Sequence, residues 1–379
     1  MHNPGLKTLR ELAGFFLRLG LTAFGGPAAH VAMMERELVA KRGWLSREAF
    51  LDLLGATTLI PGPGSTQMAM AIGWQRAGWM GLVLGGCCFI LPAALLTLAL
   101  AWGYVRFGRL PQVQGLLYGL KPVVLAIVLQ ALWSLGRTAG RTWALALLGL
   151  LALAASLLGM HPLVVLLGAG LLALAWRWAR QGRPGGVAAG QGAWLPFALG
   201  AGAIPAMGLA SVFLFFLKLG SVLFGSGYVL LAFLKADLVD RWHWLTQAQL
   251  LDAVAAGQIT PGPVFTTATF IGYLLKGFPG ALWATVGIFL PSFFFVTILG
   301  LFLPRLRKSP GMAAFLDGVN VGALALMASV TWALSRAAVV DRWTVLLGLA
   351  AVALLVRFKL NPAWLVLGGG LAGMALAAR

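Results

Sequence analysis

Residues 59–67 read LIPGPGSTQ and residues 259–267 read ITPGPVFTT. Each sets two prolines around one glycine inside a stretch otherwise apolar enough to be membrane-embedded helix. Pro61 and Pro63, like Pro261 and Pro263, remove amide donors and disfavour helix at the residue before each proline. In hydrocarbon every backbone group needs an internal partner, so broken backbone survives only against protein or beside a water-filled cavity. A second half-helix can restart at Gly64-Ser65-Thr66-Gln67, and at Val264-Phe265-Thr266-Thr267 in the twin. Its first amides then point into the cavity with the positive end of a helix dipole behind them, and the hydroxyls add donors. Pro61-Gly62-Pro63 and Pro261-Gly262-Pro263 are therefore read as helix breaks shaped for an anion. The alternative is a plain proline kink, which transmembrane helices tolerate; repetition at equivalent positions, each followed by Ser or Thr, favours the site.

The whole composition agrees with a membrane setting. The chain has 379 residues, 60 % hydrophobic and only 10 % charged, where a soluble domain carries about 25 % charge. Apolar stretches such as Gly81–Ala101, Trp143–Leu158 and Pro162–Ala175 approach the ~20 residues that cross a bilayer as a helix. The net charge of +18 is scattered through short loops, where it sets topology and attracts anionic solutes rather than nucleic acid. Cys87 and Cys88 lie inside an apolar span, and no spacing of Cys or His suggests a metal or a disulfide framework. No cofactor and no enzymatic constellation is expected. His30 is placed near a membrane boundary. The polar first ten residues, running into a span, give no cleavable signal peptide.

One unit is written twice. FFLRLGLTAFGG at 15–26 matches FFLKLGSVLFGS at 215–226, an offset of 200 that holds through Trp44 and Trp244, Asp52 and Asp252, and the two PGP motifs. It slips by one at Leu91-Pro92 against Leu290-Pro291 and returns at His161-Pro162 and Asn361-Pro362. The expected order in one unit is a first span over 13–34, a charged loop, a broken segment over 49–77, and spans near 79–104, 115–135, 143–158 and 162–179. The divisions are a repeat over 1–180, a Gly-rich linker with an extra apolar segment over 181–212, and a repeat over 213–379. The fold class is an all-α polytopic membrane protein, a tandem inverted repeat of about 10–13 transmembrane segments.

If the broken segment crosses, each unit has six spans and the extra helix, centred on 193–213, makes thirteen and inverts the second unit. If it re-enters as a hairpin, that parity has to be reconsidered. Placing Arg137 and Arg141, Arg177–Arg183, Arg305–Lys308, and Arg357 and Lys359 all inside requires opposite orientations for the halves. Arg106 and Arg109 then lie outside, against the rule.

The first span carries a matching oddity. Gly25-Gly26-Pro27 sits in mid-helix, with Gly225-Ser226-Gly227 as its twin. Close helix packing through small residues is one explanation; a second backbone opening onto the same cavity is the other. Arg18 and Lys218 each stand seven residues before the break, about two turns away on nearly the same face. An embedded cation is costly unless it meets water, an anion or, by snorkelling, the interface. The anion-binding candidates are thus Arg18, Gly25, Gly26, Gly64, Ser65, Thr66, Gln67, Lys218, Gly225, Ser226, Thr266 and Thr267. Asp52 and Asp252 are candidates for proton coupling, or cap and pair with nearby bases. Glu37 and Asp237 read as loop salt bridges, Arg76 and Lys276 as the end of the broken segment. Lys121 keeps its charge in one half only, opposite Asn320.

Three blocks bring a family to view: FLRLGLTAFGGPAAHVAMMERELV, RGWLSREAFLDLLGATTLIPGPGSTQMAMAIGW, and TPGPVFTTATFIGYLL in the second half. They resemble the chromate transporter (CHR) family in its two-domain form, over essentially the whole chain. The resemblance implies an inner-membrane protein that exports chromate and has two homologous halves of opposite topology. The second copy departs by reading FGSG where the first reads FGGP, which puts symmetric roles for the two glycine breaks in doubt. A dianion leaving an inside-negative cell gains roughly 4.6 kcal/mol per 100 mV, so export can run on membrane potential, with a proton gradient as the other source. Chromate or a similar tetrahedral oxyanion is the expected partner, with membrane lipid around the protein and a homodimer left open. The alternative is another oxyanion such as sulfate, or an organic anion, on the same scaffold.

Overall fold

Ser46 and Thr246 stand just before a helix in each half and accept the amides of Ala49 and Gln249, both at 3.1 Å. At Thr246 the Gln249 side chain returns the bond and completes a capping box. These caps fix where the arm leading into each PGP begins. The computed structural model describes residues 5–139, 142–181, 206–224, 227–306, 310–358, 360 and 362–377, and every regular element among them is helical.

The first half runs α1 (Leu6–Thr22), α2 (Gly26–Met34, continued by wider π-helical turns over Glu35–Lys41), α3 (Arg47–Thr57), α4 (Gly64–Phe107), α5 (Pro111–Ala139), α6 (Trp143–Leu157) and α7 (Pro162–Gln181). The second repeats it as α8 (Leu209–Val222), α9 (Leu230–Leu234, continued over Lys235–Arg241), α10 (Gln247–Ile259), α11 (Thr267–Leu306), α12 (Pro310–Ala338), α13 (Arg342–Phe358) and α14 (Pro362–Ala377). α4 and α11 each fold back on themselves. Gly78 at φ 58° and Gly277 at φ 62° turn the chain where a side-chain-bearing residue would be strained, leaving a short arm and a long arm packed against it.

The expected first span over 13–34 is instead a hairpin. Phe15, midway along α1, stacks edge-on against Trp44, which follows α2, with ring centroids 5.8 Å apart. Arg76, closing the short arm of α4, lies 3.4 Å from Glu11 and over the Trp44 ring. All three chain segments therefore return to one end of the bundle, here the Trp44 end. α3 has 11 residues and α10 has 13, so at 1.5 Å per residue they reach about 16 and 20 Å, roughly half of a 30 Å hydrocarbon core. Of the two expectations for 49–77 the re-entrant one holds, and the first span re-enters with it. Two re-entries per half leave the parity unchanged.

The long arm of α4 then runs to the opposite end, where Tyr104 donates to Asp252 of α10 at 2.9 Å. The second half's hairpins open at that end, the Trp244 end, so the repeats are inverted. α7 lies antiparallel to α12, and α5 antiparallel to α14. A Cβ on Gly119 would run into the Gly369 carbonyl, and one on Gly318 into that of Ala169. Helices of opposite halves thus touch backbone to backbone through small residues, as membrane interfaces favour. α7 ends at the Trp44 end and α8 begins at the Trp244 end. Most of the expected linker and extra helix lies outside the described residues. Among the described residues, five helices are long and apolar enough to cross a membrane alone, including Gly64–Phe107 and Val264–Gly300. Their outer faces expose Leu91, Leu95, Phe278 and Phe294 to lipid.

Candidate anion-binding site

The two PGP motifs meet in the middle of the bundle, each against the opposite half. Gly62 N–H donates to Leu223 C=O at 2.6 Å, and Gly262 N–H donates to Ala23 C=O at 2.9 Å. Leu223 and Ala23 are the residues at which α8 and α1 end, so each PGP plugs the opening in the other half's first hairpin. The flanking prolines have no N–H, which leaves the glycine as the donor. It reaches across at φ 132° for Gly62 and 90° for Gly262, values that favour glycine. Helix starts at Gly26, Gly64 and Val264 all fall in this region, and their free amides with the dipoles behind them favour negative charge.

The side chains around these starts are polar and shut from solvent. His30, expected near a boundary, is fully buried here. Its Nε2 lies 3.1 Å from the Ala23 oxygen and its Nδ1 3.2 Å from Ser65 Oγ. A carbonyl can only accept, so Nε2 carries the proton and the Ser65 hydroxyl donates to Nδ1. Ala23 C=O therefore receives both His30 and Gly262. Gln67 Nε2 donates back to Pro61 C=O at 2.5 Å. Thr66 Oγ1, Gln67 Oε1 and Ser292 Oγ are buried without a partner, and Ser292 comes from the second half to stand over Gly62. Gln67 and Ser292 both stand against Gly62, and Thr66 precedes Gln67 on the same helix start; unpaired buried polar atoms there call for a polar occupant, since such groups are costly when left unmet.

The twin site is less polar. Leu230 replaces His30, Phe265 replaces Ser65, Thr267 replaces Gln67, and Ala93 replaces Ser292. Thr267 and Thr266 turn back on the backbone of Val264 and Pro263 at 2.8 and 2.9 Å. Thr97 of α4 joins them, 3.3 Å from Thr266 and 3.4 Å from Thr260. Sequence reasoning missed His30, Ser292 and Thr97, because each acquires its role from a partner in a distant segment.

The nominated cations separate. Arg18 is exposed, with no ion pair among the described residues. Lys218 is 3.9 Å from Asp237, which is fully buried and also 3.3 Å from His161. Asp237 is thus an interior counter-ion, not the loop salt bridge expected; its twin Glu37 does form one, 2.6 Å from Lys41, which holds the Glu37 carboxyl below the usual range. Gly25 and Gly26 both adopt positive φ, at 102° and 78°. Gly225 and Ser226 lie outside the described residues. The aspartates face two cavities, one at each end. Asp52, exposed, lines about 370 Å³ with Trp74 and Gln75; Asp252, buried, lines about 300 Å³ with Tyr104, Tyr118 and Lys121.

Comparison with known proteins follows this duplicated geometry. Residues 10–174 and 210–374 each match the family model described as Chromate transporter. A chromate transport protein of Cupriavidus metallidurans is 36 % identical over 99 % of this chain and 94 % of its own length. A probable chromate transport protein of Synechococcus elongatus is 34 % identical over 95 % and 93 %, and a chromate transport protein of Pseudomonas aeruginosa 32 % identical over 98 % and 93 %. No solved structure matches the chain.

Proposed function

The chain belongs to the chromate transporter family, and on that premise we propose that it exports chromate across the inner membrane through the site where the two PGP breaks meet. The observation that carries this reading is the cluster of unpartnered Thr66 Oγ1, Gln67 Oε1 and Ser292 Oγ beside the helix start at Gly64. Hydroxyls and helix-start amides bind a tetrahedral oxyanion without a fixed cation, which suits a carrier that must release its cargo. The inverted halves supply the second requirement, two arrangements of one broken scaffold that open to opposite sides. Lys41, Arg42, Arg47, Arg137, Arg177 and Arg180 fall at the Trp44 end, which the positive-inside rule makes cytoplasmic. Arg18 belongs to the proposed path: it stands on α1 five residues before the break at Ala23, exposed and with no ion pair among the described residues, where a cation needs water or an anion.

Labelled chromate flux in proteoliposomes, clamped by potassium and valinomycin, tests the reading. Flux should follow the sign of the potential, fall with excess sulfate, and be lost in Arg18→Ala. Flux that ignores the potential and tracks a pH gradient would replace the electrogenic mechanism with proton exchange through Asp52 and Asp252. No flux under either gradient would refute chromate transport.

A further inference from the structure

The cavity at the Trp244 end contains an ion pair whose lysine has no counterpart in the other repeat. Lys121 Nζ of α5 lies 3.2 Å from Asp252 Oδ1, and Tyr104 of α4 donates to Oδ2 of the same carboxylate at 2.9 Å. Lys121 and Tyr104 belong to the first half; Asp252 sits on α10, the arm that ends in the second PGP. The pair therefore ties the halves together across a cavity of about 300 Å³. The sequence positions that match Lys121 and Tyr104 in the other repeat are Asn320 and Leu303, so this lysine and tyrosine are particular to the Trp244 end. An ionisable residue at membrane depth marks a functional path unless its partner explains it away. Here the partner is itself an oxyanion. A carboxylate on Lys121 occupies the place that a passing tetrahedral oxyanion would take.

We propose that Lys121 is a second binding station for the transported oxyanion, and that Asp252 is an internal anion which the cargo displaces to open the Trp244 end. The inference rests on the carrier reading above. It gives Asp252 a role other than carrying protons: with no cargo the pair keeps the two halves closed at this end, and a dianion competes successfully with a single carboxylate charge. Displacing Asp252 also frees α10, so release of the lock reaches the PGP about nine residues on, roughly 13 Å along the helix.

The test is the KM for labelled chromate in proteoliposomes of the wild type, Lys121→Gln, Asp252→Asn and the double variant. Removing the station should raise KM about tenfold or more. Removing the competitor should lower KM, and the double variant should behave as Lys121→Gln alone. A merely structural ion pair would make both single variants lose flux together with KM unmoved, and that result would overturn the lock. A second measurement does not depend on removing either charge. Ala337→Cys, in a background of Cys87→Ala and Cys88→Ala, lines the cavity and should react faster with an impermeant maleimide when chromate is added. Labelling indifferent to chromate would also overturn the lock. Wild-type protein with no chromate flux would refute the carrier reading instead, and this one with it.

Discussion

Thr66→Val and Ser292→Ala should separate binding from stability with opposite signs. Both hydroxyls are buried and unpartnered, and a buried polar group without a partner costs about 1–3 kcal/mol. An apolar replacement of similar shape removes that cost, so thermal stability without ligand should hold or rise. A hydrogen bond to a charged ligand contributes about 1.5–3 kcal/mol, and each 1.4 kcal/mol is tenfold. The KM for chromate should therefore rise roughly 10- to 150-fold in either variant. Thr97→Val is the contrast, since its hydroxyl lies within bonding distance of Thr260 and Thr266 and its loss leaves a neighbour unmet. Scanning fluorimetry in detergent, with and without chromate, reads stability; proteoliposome flux at a fixed potential reads KM. If Thr66→Val lowers stability as Thr97→Val does and leaves KM unchanged, the hydroxyl is structural and the site is elsewhere.

Three further outcomes follow from the packing and charge. Gly73→Ala would drive a Cβ into the Gly81 carbonyl across the α4 hairpin, a clash worth about 1–3 kcal/mol; its melting temperature should fall, whereas Gly55→Ala, with nothing within 4 Å of the new Cβ, should not. In a background of Cys87→Ala and Cys88→Ala, Arg47→Cys and Asp240→Cys should label with impermeant maleimide from opposite sides of the membrane, and labelling from one side would break the inverted repeat. Asp341 is held below the usual carboxylate range by hydrogen bonds from Tyr118 and from Thr344. A depressed folded-state pKa contributes stability above the unfolded value and loses it as pH falls through the folded one. Asp341→Asn should therefore be less stable than wild type at neutral pH and match it in strong acid, as melts across pH would read.

The sequence revealed the breaks and their repetition because proline and glycine act on their own backbone, where no partner is needed to read them. Inversion was legible for a similar reason: loop charges are local, and Arg137, Arg177 and Arg357 do share one end. The first hairpin was not legible. Two half-helices across Ala23–Gly25 have the length and apolarity of one full span, and only the return of Trp44 to Phe15 tells them apart. His30 was misplaced for the same cause, since distance along the chain from a polar loop says nothing about depth once the chain turns back. Ser292 and Lys121 were legible only as departures from the twin, Ala93 and Asn320, and their roles depend on contacts made across the halves.

Those departures have a physical logic. Alternating access asks the backbone to be symmetric, because each end must be able to take the arrangement the other has just left. The breaks meet that demand: Gly62 and Gly262 donate to equivalent carbonyls, and Gly78 and Gly277 turn equivalent hairpins. Binding makes no such demand, since one ion held once per cycle needs one polar lining. Polar groups in the interior are costly when unmet, so the twin site reduces that cost where it can, with Leu230, Phe265 and Ala93 in place of His30, Ser65 and Ser292. The same freedom allows Lys121 to lie at one end only, with Asn320 at its twin position. Symmetry in such a protein is thus a property of the moving frame, and asymmetry marks the places where cargo is held.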